Sequence, residues 1–139
     1  MKNKTKNNSF HKISIFLILV ASFSFTNSAL AKPKPRVLVF CKTAGYHHES
    51  IANGIVALQK LGEENNFDVD TTIDATKFND ENLKQYKAII FLSTTGDVLN
   101  DEQQGAFKKY IEAGGGYMGI HAATDCEYNW QWYGNLSGA

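Results

Sequence analysis

Continuous apolar runs alternate with amphipathic stretches along this chain. Arg36-Val37-Leu38-Val39-Phe40-Cys41 is unbroken and carries two valines, the pattern of a strand buried on both faces. Ile51, Ile55, Leu58 and Leu61 recur at helical spacing and predict a helix over residues 50–65, with Ser50 or a neighbour as its cap. Residues 67–73 alternate through Phe67, Val69, Thr71 and Ile73, as a half-covered or edge strand does. Asn79-Asp80-Glu81 opens a short helical turn around Leu83 and Tyr86, and residues 87–92 form a second buried strand. The next helix spans residues 100–113. Asn100 with Gln103 makes a capping box, and Phe107, Tyr110 and Ile111 form the buried stripe. Gly114-Gly115-Gly116 stops it with a glycine free to turn left-handed, and residues 116–121 are the fourth strand.

Strands separated by helices imply parallel crossovers, which are right-handed almost without exception. The expected fold class is therefore α/β, an open doubly wound parallel sheet. Ligands of such sheets bind beyond the carboxyl ends of the strands. Three polar clusters fall there, at residues 42–50, 93–98 and 121–128. After the fourth strand come Trp130, Trp132, Tyr133 and Leu136, an aromatic tail with no predicted element to cover it. The pattern thus reads as a domain truncated after its fourth strand, incomplete at the C-terminus.

The N-terminus changes the picture. Residues 1–12 carry Lys2, Lys4, Lys6 and Lys12 and no acid, residues 13–25 are largely apolar, and Ala29-Leu30-Ala31 is an A-x-A site. That order is a secretory signal peptide, cleaved after Ala31. The apolar run is too short for the roughly 20 residues that cross a bilayer as a helix. The domain division is then 1–31 signal peptide, 32–35 linker stiffened by Pro33 and Pro35, and 36–139 the globular domain. An exported location follows, periplasmic or extracellular, with no membrane association after cleavage.

The whole chain has 14 basic and 14 acidic residues; removing the leader's four lysines leaves a formal charge of −4. A mildly acidic surface has no electrostatic footprint for nucleic acid. The expected partner is a small molecule; oligomeric state is not legible. Export permits a disulfide, but nothing in the spacing pairs Cys41 with Cys126, and two free, partly buried thiols are expected.

Candidate chemistry sits in the three clusters. Gly45-Tyr46-His47-His48-Glu49-Ser50-Ile51 places two histidines at a strand-to-helix turn, beside a helix N-terminus that favours anions. Either can act as a base, donor or metal ligand, or simply line the start of the helix. Ser93-Thr94-Thr95-Gly96-Asp97 can line a pocket through Thr95 and Gly96, or be plain turn chemistry. Gly119-Ile120-His121-Ala122-Ala123-Thr124-Asp125 is a tight turn of the kind that presents a reactive residue. Here it presents His121, with Asp125 near enough in sequence to fix its tautomer.

At these residues a resemblance becomes legible. The first and third clusters, the latter followed by Trp130 and Tyr133, resemble two signatures of the trehalose-utilisation (ThuA) family, the first being Gly-aromatic-Arg-His-x-Ser-Ile. The similarity runs over residues 36–139. It implies a flavodoxin-like sheet, membership of the class I glutamine amidotransferase-like superfamily, and a part in the use of trehalose or related sugars. Amidotransferases carry a nucleophilic cysteine where His121 stands, so glutaminase chemistry is not expected. His47 replaces the family's usual arginine, exchanging a permanent cation for a titratable one.

The leading expectation is an exported protein acting on a sugar or sugar derivative. His48, His121 and Asp125 would be catalytic; His47, Thr95, Gly96, Trp132 and Tyr133 would bind substrate. No cofactor is demanded. A divalent metal such as zinc on His48 and His121 is the alternative to proton transfer. Two other readings stay open: a non-catalytic carbohydrate-binding module using the aromatic residues, and an inactive fragment.

Overall fold

A computed structural model describes residues 32–138, so the expected signal peptide and its cleavage site lie outside the described residues. Four strands pair in parallel: β1 (Arg36–Phe40), β2 (Asp68–Thr72), β3 (Ala88–Leu92) and β4 (Gly116–Ile120), in the spatial order β2-β1-β3-β4. The helices are α1 (Ser50–Asn65), α2 (Asp80–Leu83), α3 (Asp101–Glu112) and α4 (Gln131–Ser137), with 3-10 turns at Ala75–Lys77 and His121–Thr124. The chain runs from β1 outward to β2 on one side and from β3 outward to β4 on the other. The order therefore reverses between β1 and β3, and the crevice of a doubly wound sheet opens there.

Strand periodicity divides the core. Val39, Cys41, Ile90 and Leu92 pack with Ile51 and Leu58 of α1. The alternate positions Leu38, Phe40, Ile89 and Phe91 form a second cluster with Leu83, Phe107 and Tyr133. Both faces of β1 and β3 are buried, which is why their sequences are apolar without alternation. The alternating segment instead forms β2, an edge strand, as expected.

Local signals act as the sequence implies, with three differences. Asn100 and Gln103 form the reciprocal capping box of α3, and Gly114 beyond its end takes φ +94°. At α1, however, no side chain caps the start: Glu49 already has helical backbone angles, so Ser50 lies inside the first turn. The fourth strand stops one residue early, because His121 leaves it with φ +56°. The aromatic tail is not uncovered. It contributes α4, whose Tyr133 is 1% exposed against Phe91, while Trp132 meets Phe107 and stacks on Trp130. The aromatic positions come together on one side of a helical turn, a period hidden in so short a segment.

Both cysteines are free and buried. Among the described residues no helix is long and apolar enough to cross a membrane.

Candidate active site

The loops after β1, β3 and β4 continue the sheet beyond its strands. Thr43 pairs with Thr95, and Gly96 with Cys126, both in parallel. The Thr95 carbonyl accepts from the backbone N–H groups of Ala44 (2.7 Å) and Gly45 (3.2 Å), while the Thr95 hydroxyl donates to the Tyr46 carbonyl at 2.8 Å. On the other side, Gly96 N–H donates to the Asp125 carbonyl (2.9 Å) and Glu127 N–H to the Gly96 carbonyl (3.3 Å). Gly96 has φ +71°, and a Cβ there would stand 3.1 Å from the Gly45 nitrogen. Glycine at this position therefore serves both the turn and the close approach of two loops.

This frame brings His48 and His121 together. Their rings meet edge to face with centroids 4.5 Å apart, and Tyr46 meets His48 in the same manner at 4.8 Å. His121 adopts left-handed backbone angles directly after β4. For a residue with a Cβ such a conformation costs about 1 kcal/mol or more. A strained residue presented at a strand end is the geometry by which sharp strand-to-helix turns expose a reactive side chain. Ser93, also left-handed at φ +51° and buried, ends β3 with its N–H bonded to the Ile120 carbonyl, fixing the base of this turn.

The other expected residues are placed differently. His47 is exposed, its Nδ1 3.4 Å from the Thr43 hydroxyl. Thr95 is buried and acts through the loop contacts above, as does the Gly96 backbone. Asp125 does not orient His121: its carboxylate accepts from the Tyr128 hydroxyl, and among the described residues no hydrogen bond joins it to the imidazole. Trp132 is half-buried and packs against the core, and Tyr133 is buried within it. Tyr133 donates to the Ala123 carbonyl at 2.6 Å, pairs with the Tyr117 hydroxyl at 2.8 Å, and accepts from the Cys126 thiol at 3.4 Å. It is a core residue with a satisfied hydroxyl.

The zinc expectation meets a shortage of donors. A catalytic zinc takes three protein ligands. His48 and His121 offer two, Asp125 is engaged by Tyr128, and no group of three His, Cys, Asp or Glu able to hold a metal occurs among the described residues. These residues do not fit that ion.

Sequence reading missed two residues. Glu127 is 2% exposed; one carboxylate oxygen accepts from Val98 N–H (2.7 Å) and Leu99 N–H (2.8 Å), the other from the Gln104 side chain (2.6 Å). It bolts the β4 loop to the start of α3, and nothing local marks an isolated glutamate for that task. Tyr46, inside the first motif, is 70% exposed at the rim of the histidine pair. A hollow of about 460 Å³ at the carboxyl ends of β1 and β2 and the start of α3 is lined by the polar Lys42, Asp74, Asp97 and Gln103 together with the apolar Ile73 and Val98; none of the histidines lines it.

Comparison with known proteins agrees with this geometry. The family described as ThuA, trehalose utilisation, matches residues 36–139. The crystal structure of a ThuA-like protein from Bacteroides uniformis ATCC 8492 superposes with a TM-score of 0.61 at 29% identity, covering 76% of this chain and 44% of that one. The chain thus spans less than half the length of that relative. No curated protein matches. With the family match covering the whole described sheet and both histidine motifs, the chain belongs to the ThuA family, whose description is trehalose utilisation.

Proposed function

We propose that this protein is an exported member of its family that acts on trehalose or a related glycoside, with His48 and His121 as a proton-transfer pair. The observation that carries the reading is the 4.5 Å contact between imidazoles from loops after β1 and β4, one of them on a strained backbone. An imidazole both takes and gives a proton near neutral pH, so two in contact can serve one hydroxyl-rich ligand as acceptor and donor. His121, at the strand end, is the group presented to substrate; His48 packs against it and faces the same crevice. His47, Thr95 and Gly96 shape the rim. The family's description supports the sugar class. Export rests on the leader sequence.

The test is turnover of trehalose by the full chain and its variants. His121→Ala and His48→Ala should each lower kcat about 100-fold or more, with affinity for trehalose nearly retained. A full chain whose His121→Ala variant turns over trehalose unchanged rules out the pair as catalytic. Wild-type protein that binds trehalose without converting it makes the site a carbohydrate-binding module.

A further inference from the structure

We propose that Tyr46 is the specificity-determining platform of this site, stacking on the apolar C–H face of a neutral pyranoside held beside the histidine pair. The inference rests on the proposed function and supplies what that reading lacks, a binding face for the sugar ring. Trp132 and Tyr133 turn their rings to the core, the first half-buried against it and the second buried within it. Tyr46 has the opposite disposition. The residue is 70% exposed, while its backbone stretch is held by the Thr95 hydroxyl donating to the Tyr46 carbonyl and the Thr95 carbonyl accepting from Ala44 and Gly45. Gly96, where a Cβ would stand 3.1 Å from the Gly45 nitrogen, lets the two loops lie together.

An exposed aromatic on a mobile surface loop needs no explanation. A pinned one beside two imidazoles is different, because its ordering cost is met before any ligand arrives. Tyrosine has two side-chain torsions, and contact of its ring edge with His48 at 4.8 Å restricts them further. Tyr46, His48 and His121 therefore form a row of three rings, an apolar plane followed by two proton-carrying groups. A pyranose has matching parts: a face of C–H groups and a rim of hydroxyls. With the C–H face on Tyr46, rim hydroxyls point toward His48 and His121. An anionic ligand finds no permanent cation at residue 47, and a planar aromatic one has no hydroxyl rim for the imidazoles.

The experiment measures affinity of the full chain for trehalose and for glucose by calorimetry, in wild type, Tyr46→Ala, Tyr46→Phe and His121→Ala, each first checked for native circular dichroism. Tyr46→Ala should weaken binding about tenfold, Tyr46→Phe should bind nearly as wild type, and His121→Ala should lose less affinity than Tyr46→Ala. Unchanged affinity in Tyr46→Ala overturns the proposal. So does equal weakening in Tyr46→Ala and Tyr46→Phe, which would make the hydroxyl the contact, and so does wild-type protein that binds neither sugar. The two readings fail separately. Weak binding in Tyr46→Ala with normal turnover in His121→Ala keeps the platform and removes the proton-transfer pair; the reverse combination does the opposite.

Discussion

His121 carries more information than any other residue here. Its left-handed conformation costs a residue with a Cβ free energy, so the surrounding turn must over-determine it. The restraints are visible in the base of the turn, where Ser93 N–H holds the Ile120 carbonyl, and in Gly96, which holds the Asp125 carbonyl. Tyr133 illustrates the opposite case, an aromatic whose polar atom is spent on the core. Tyr133→Phe should lower stability by about 1 to 3 kcal/mol in urea unfolding while leaving trehalose affinity intact. A loss of sugar binding without a loss of stability would return Tyr133 to the site. The family signature gave His48 and His121 but not the partner of Asp125, because hydrogen bonding to Tyr128 depends on the turn after His121 and not on sequence distance.

Among the elements, α3 is the one whose start is doubly secured. The Asn100–Gln103 box satisfies donors locally, and Glu127 satisfies the Val98 and Leu99 N–H groups from a distant loop. Those two amides are buried, so removing their acceptor leaves them unpaired. Glu127→Ala should therefore cost roughly 2 to 4 kcal/mol, more than the about 1 kcal/mol expected for Asn100→Ala. Glu127→Gln, which keeps an oxygen for both amides, should fall between wild type and the alanine variant. Chemical denaturation of the three variants checks the order; an Asn100→Ala cost exceeding that of Glu127→Ala would show that the local box is the principal anchor. Because Glu127 also fixes the β4 loop, the alanine variant should bind trehalose more weakly at temperatures where it remains folded. The capping box was readable because both its residues lie within one turn. The Glu127 clamp was not, since its partners are near only after β3 and β4 pair.

At the scale of the whole molecule, burial pushes the thiols of Cys41 and Cys126 up from their ordinary range, and burial does the same to the hydroxyls of Tyr117 and Tyr133. The sign follows from linkage. These groups ionise more readily in the unfolded chain, so their contribution to stability is complete below the unfolded thiol value of about 8.5 and is lost as pH rises toward the folded values. The urea midpoint should thus fall between about pH 7 and pH 10, and native protein at about pH 8 should resist alkylation by iodoacetamide that modifies both cysteines after unfolding. Rapid native labelling of Cys126 would contradict its burial beside Thr94 and Tyr133.

The sequence alone determined the strand and helix succession, the parallel sheet, the capping of α3 and the family, because these depend on residue spacing over one or two turns and on short motifs that need no partner. Only tertiary structure decided which motif residues meet. Contact between His48 and His121, the packing of Trp132 and Tyr133 against the core, the engagement of Asp125 by Tyr128 and the exposure of Tyr46 all follow from loops laid side by side across β1, β3 and β4. Such contacts are set by strand order and backbone hydrogen bonds between distant segments, which leave no periodicity in the chain to read.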